Sequence, residues 1–180
     1  MSNQGDDGED QDLVIYHPNR EKAASQATKA IVVLLLIVSG ILTLLITAGG
    51  WTQLQGAKPF SIAFILVFFV MAYYVSKWQR GVLPLAAGLA VMLGVFAAIA
   101  SFGAGNWADR TNTGYGSALL PAGLIWLFCV LLVLVLLLVI VFAMRGFSQK
   151  WNVEIEMTQE EYNRRRRSSN GNGYRYAQTG

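Results

Sequence analysis

Apolar and polar positions along this chain fall into long blocks rather than short alternations. Four blocks without a charged residue, 30–48, 60–76, 83–100 and 118–144, are separated by short polar connections and flanked by two polar tails. The last block is the most extreme. From Leu124 to Phe142 every residue is Leu, Ile, Val or Phe except Trp126 and Cys129. As a helix, residues 118–144 would be about 40 Å long, more than the hydrocarbon thickness of about 30 Å. The aliphatic and aromatic side chains of this block favour insertion by on the order of 5–10 kcal/mol. A helix apolar on every side has no face for water. The pattern therefore predicts an all-α integral membrane protein, a four-transmembrane-helix bundle with short tails.

The first span, 30–48, follows a long and net acidic segment, and its apolar run exceeds that of a cleaved signal, so it reads as a retained helix. Ser39, Thr43 and Thr47 recur at intervals of four beside Gly40 and share one face. Their hydroxyls can bond back to their own helix or mark a contact face for a neighbour, and the contact face is the expectation carried forward. The second span, 60–76, ends in Tyr73, Tyr74, Lys77 and Trp78, as expected where a helix meets headgroups. Residues 77–81 make a tight turn, and Pro84 opens the third span, where its missing N–H costs nothing. In that span, 83–100, the small residues Ala86, Ala90, Gly94 and Ala98 form a strip suited to close helix packing. The third helix is accordingly expected to be central and the fourth the most lipid-exposed. Residues 101–117 read as a Gly-rich extracytoplasmic loop with turn chemistry.

The tails carry weaker patterns. Residues 1–29 form an acidic tail, and residues 1–12 have the composition of a disordered segment. Leu13–Tyr16 is a short β-prone run. In the C-terminal tail, 145–180, Val153, Ile155 and Met157 alternate with polar residues as in a half-buried strand. These two runs, on the same side after an even number of spans, are candidates to pair. Thr158 with Glu161 is a capping pair for a short following helix.

Charge fixes the expected orientation. Residues 1–29 hold three basic and six acidic side chains, and residues 145–180 hold seven basic and four acidic. With the turn at Lys77 and Arg80, twelve of the fourteen Lys and Arg lie on the side of both termini, leaving Lys58 and Arg110 opposite. Basic flanks favour the cytoplasm, so both termini are expected to be cytoplasmic and the protein to reside in the cell membrane. Trp51, Trp78, Trp107, Trp126 and Trp151 all fall near the expected boundaries.

Candidate chemistry is sparse. The spans contain no Asp, Glu, Lys, Arg or His, which argues against a proton-coupled carrier. One histidine, His17, and one cysteine, Cys129, supply no catalytic triad or metal cluster. No catalytic residue, cofactor or metal is expected. The remaining candidate is the run Arg164, Arg165, Arg166 and Arg167, placed to meet anionic lipid headgroups or a protein partner. Glu154, Glu156, Glu160 and Glu161 just upstream oppose that attraction, and the adjacent Ser168 and Ser169 are candidate modification sites. Nucleic acid is disfavoured, since no folded basic face carries stacking aromatics. The expected function is that of a non-enzymatic accessory or scaffold protein, acting in the lipid bilayer through helix faces and cytoplasmic tails. A small oligomeric channel or transport component, built as a homo-oligomer and lined by Ser39, Thr43 and Thr47, is the alternative.

Overall fold

A computed structural model of the chain describes residues 13–16, 22–103, 117–151, 153–164 and 167. It is mostly helical, with four helices long and apolar enough to cross a membrane. Strand β1 is Leu13–Tyr16, followed by α1 (Ala23–Gly49), α2 (Lys58–Ser76), α3 (Val82–Phe102), α4 (Ala122–Ser148) and strand β2 (Ile155–Thr158). A short 3₁₀ turn, Gln55–Ala57, leads into α2. The chain runs up and down, so one end of the bundle carries both strands and the α2–α3 turn. The other end carries the α1–α2 and α3–α4 connections.

The packing departs from sequence expectation in its order. Helix α4 packs broadly on α3 and α1, and α1 packs broadly on α2, whereas α2 and α3 barely meet. The helices thus form a row, α2–α1–α4–α3, with α1 and α4 inside. Of the apolar window of α1, 44% is buried, against 33% for α3 and for α4 and 28% for α2. The third helix is therefore not central, and α2, not α4, is the most exposed. The reason lies in side-chain volume. Helix α1 offers Gly40, where an added Cβ would sit 3.2 Å from the Phe69 ring of α2, and small hydroxyl residues along the buried side. Neighbours can therefore approach it from two sides.

The small-residue strip of α3 does not hold its position along the helix. Ala86 and Ala90 are buried, but Gly94 and Ala98 are only half-buried, and the buried line passes instead through Leu93, Ala97 and Ser101. Four residues turn a helix through more than one full revolution. A strict four-residue repeat therefore walks around the helix, while the interface with α4 stays straight.

Helix ends differ from the block boundaries for local reasons. Helix α1 begins at Ala23, well before the apolar block. Helix α4 begins only at Ala122, because Pro121 holds an extended ψ of 138° and acts as the N-cap. Ahead of it, the amides of Leu119 and Leu120 both donate to the Gly49 carbonyl, at 2.9 and 3.3 Å. The two strands pair antiparallel, Leu13 with Thr158 and Tyr16 with Ile155. A short ribbon is thereby added to the helical fold, and the N-terminal and C-terminal segments meet at one end of the bundle.

Candidate interaction surface at the end that carries both termini

Two helices finish at this end, and both finish on a non-glycine residue with positive φ. Trp78 has φ 63° and Lys150 has φ 49°. After α2, the Trp78 amide donates to the Val75 carbonyl at 3.0 Å and the Gln79 amide to the Tyr74 carbonyl at 3.2 Å. That is a Schellman end with tryptophan where glycine is usual. A bulky side chain in this conformation costs of order 1–3 kcal/mol and persists only where its surroundings hold it. Here they do. The Trp78 ring meets the Trp151 ring edge to face, with centroids 5.4 Å apart and planes at 84°. Lys150 turns the chain back so that Trp151 enters the end of the bundle, where it is fully buried. There it lies beside Gly146, at which an added Cβ would be 3.1 Å from the indole.

Polar contacts tie the same end together. Thr28 Oγ1 donates to the Ala24 carbonyl at 2.8 Å and accepts from Gln149 Nε2 at 3.0 Å. Trp151 Nε1 donates to Gln149 Oε1, also at 3.0 Å. This chain of bonds joins α1 to the segment leaving α4. Lys29 Nζ stands 4.1 Å over the Trp78 ring and 3.5 Å from the Ser76 carbonyl. Arg80 Nε donates to the Phe147 carbonyl at 2.8 Å while its guanidinium lies 4.2 Å over the Phe147 ring. Each cation meets the carboxyl end of a helix, where backbone carbonyls attract positive charge.

Beyond this latch stands the ribbon. Tyr16 of β1 packs edge to face on Tyr162, at 5.9 Å, and Met157 is buried. The Glu161 amide donates to Thr158 Oγ1 at 3.4 Å, at the start of the helical stretch 159–164. Ile15 on the other face remains 57% exposed, so one side of this cap is filled from within and the other is open.

The residues singled out in the sequence separate into three groups. Ser39, Thr43 and Thr47 are buried, and their hydroxyls donate to the carbonyls of Leu35, Ser39 and Thr43 at 2.8, 2.7 and 2.6 Å. They lie on a packed face, yet each satisfies its hydroxyl within α1. Arg164 and Arg167 are exposed, while Arg165 and Arg166 lie outside the described residues. So do His17, residues 1–12, most of the loop 101–117, Trp107, Ser168 and Ser169. Cys129 is buried within α4. No group of three or more His, Cys, Asp or Glu that could hold a metal occurs among the described residues.

The sequence placed Trp78 and Trp151 near a headgroup boundary, and the structure shows that Trp151 is buried within the bundle end rather than presented to its surroundings. Thr28, Lys29, Arg80 and Gln149 were not singled out as one group. Their only sequence signal is that a tryptophan and a cation close α2 and again follow α4. No known protein family, characterised protein or solved structure matches the chain.

Proposed function

We propose that this chain is a multi-pass protein of the cell membrane, with both termini cytoplasmic, that works without catalysis as an accessory or scaffold protein. The observation that carries the reading is the antiparallel pairing of Leu13–Tyr16 with Ile155–Thr158. It gathers the two ends of the chain into one small folded unit at a single end of four apolar helices. An isolated two-stranded ribbon is marginal in water. This one is backed by Tyr162 on one face and leaves Ile15 open on the other, which suits a surface that works by contact. The concentration of Lys and Arg at the same end supports its placement in the cytoplasm. The hydroxyls of Ser39, Thr43 and Thr47 bond within their own helix, on a packed face. That packing argues against a pore lined by them.

The test has two arms. Tags at either terminus should resist protease in intact cells and be cut after permeabilisation, and a stoichiometric partner should co-purify in a manner that depends on residues 146–180. Cleavage of either tag in intact cells would overturn the orientation. A conductance in proteoliposomes that disappears on changing Ser39, Thr43 and Thr47 to Leu would replace the scaffold with a channel.

A further inference from the structure

Three cations converge on the α2–α3 turn: Lys77 and Arg80 within it and Lys29 reaching it from α1. Lys29 sits against the Trp78 ring and the Ser76 carbonyl, Lys77 lies 5.7 Å from the Tyr73 ring, and Arg80 is held on Phe147. Among the described residues, the partners of all three are aromatic faces and backbone carbonyls rather than carboxylates. Between Lys22 and Trp151 the sequence holds one carboxylate, Asp109, on the α3–α4 connection. Among the described residues the carboxylates at this end are Glu154, Glu156, Glu160 and Glu161, all in the C-terminal segment; the six of residues 1–21 lie outside them. Arg80 uses Nε on Phe147, so among the described residues its two terminal nitrogens remain for a second acceptor.

A second feature adjoins this cluster. Helices α2 and α3 leave the turn with little packing between them. They meet again through Phe60 and Phe96, edge to face at 6.2 Å, at the opposite end. Helices α2 and α3 are thus loosely packed on one another, with cations at the turn that joins them, and that combination matches a molecule with an anionic head and a hydrocarbon tail.

We infer that the α2–α3 turn binds an anionic phospholipid, its phosphate taken by Lys29, Lys77 and Arg80 and an acyl chain lying along the sparsely packed side between α2 and α3. Arginine is suited to the phosphate because its planar fork offers paired donors. Trp78 is the positioning residue. Its left-handed backbone sets the ring beneath Lys29, and the ring keeps that ammonium at the turn. The assignment rests on the membrane reading above but differs from it in locating lipid selectivity at the turn rather than at Arg164–Arg167.

The full chain is reconstituted in vesicles of equal parts phosphatidylcholine and phosphatidylglycerol, and the lipids retained after extraction into detergent are counted by native mass spectrometry. The wild type should retain phosphatidylglycerol in preference to phosphatidylcholine. Removing each charge should lower that preference about fivefold, so K77Q should weaken it and K77Q/R80Q should abolish it. Changing Arg164–Arg167 to Gln should leave it within about twofold. Lys77 is exposed, so K77Q tests the site even where the double variant fails to fold. R80K keeps the charge but loses the fork and should fall between wild type and R80Q. Equal retention of both lipids by the wild type, or loss of preference only in the Arg164–Arg167 variant, would overturn the assignment. Protein that floats with vesicles yet shows no preference refutes this site alone, whereas protein that does not float refutes the membrane reading with it.

Discussion

The two ends of the bundle are closed by different means. At the end bearing the termini, closure is made by side chains: Trp151 buried against Trp78 and Gly146, with Gln149 bridging to Thr28. At the opposite end, backbone does more of the work. The Gly49 carbonyl accepts from Leu119 and Leu120, Thr52 Oγ1 donates to the Ser117 carbonyl at 2.9 Å, and Trp126 Nε1 donates to the Ser101 carbonyl at 2.8 Å. A side-chain latch depends on a few identities and can be released without unwinding a helix. The amide bonds of Leu119 and Leu120 to Gly49 tolerate changes of side-chain identity but not of volume near the carbonyl. The latch lies where the cap and the cation cluster also lie, so the end closed by side chains is the end at which we propose contact with partners.

The harshest way to break this contrast is Trp151→Ala. Removing a fully buried indole should cost about 3–5 kcal/mol, read as a lowered unfolding midpoint in detergent micelles. The loss should be local in its first effects. Amide exchange through Leu13–Tyr16 and Ile155–Thr158 should accelerate while that of Leu119 and Leu120 stays as in the wild type. Equal acceleration at both ends would mean that the bundle closes as one unit and that the contrast is false. Trp151→Phe, which keeps an aromatic edge but no N–H for Gln149, should lose less.

Gly49→Ala applies the complementary stress at the other end. An added Cβ would stand 2.6 Å from Leu120 Cδ1, 3.0 Å from Cγ and 3.2 Å from Cβ. Rotation of the leucine tip cannot relieve all three contacts, so residues 117–120 must shift and the bonds to the Gly49 carbonyl must lengthen. Overpacking of this kind costs about 1–3 kcal/mol. Faster exchange at Leu119 and Leu120, with the ribbon unaffected, is the expected signature. An unchanged midpoint together with unchanged exchange would show that the connection yields freely and that the backbone closure contributes little.

Much of this fold was legible because water solvates charge so strongly that its absence over four blocks is hard to misread. The ribbon was legible as well, since Val153, Ile155 and Met157 alternate with polar residues and Leu13–Tyr16 is β-prone. The order of packing was not. Hydropathy reports that a helix is apolar but not which neighbour it meets, and α1 became interior through Gly40 and the hydroxyl side of the helix. The latch was also hidden. Left-handed helix ends are usually announced by glycine, but here Trp78 and Lys150 take that conformation, and the glycines nearest them, Gly81 and Gly146, sit at the N-cap of α3 and within α4. Of the candidate residues, the arginine run was conspicuous because it is consecutive. Lys29, Lys77 and Arg80 were inconspicuous because only folding brings the first to the other two.

The smallest effect tests the last sequence-derived contact, and it should carry the opposite sign. If Ala86, Ala90, Gly94 and Ala98 formed one continuous packing strip, a methyl at Gly94 would intrude on a neighbouring helix and destabilise the bundle. In the structure the strip has turned away by that point, and a Cβ at Gly94 would meet nothing within 4 Å. What remains is the conformational freedom that glycine loses on entering a helix, which alanine does not incur to the same degree. Gly94→Ala should therefore stabilise the protein by up to about 1 kcal/mol, visible as a modest rise in the unfolding midpoint. Gly40→Ala, whose Cβ would stand 3.2 Å from Phe69, should show no such gain. A fall in stability for Gly94→Ala would restore α3 as a close-packed surface and point to a second copy of the chain against it. A rise would leave α1 and α4 as the pair around which the other two helices are arranged.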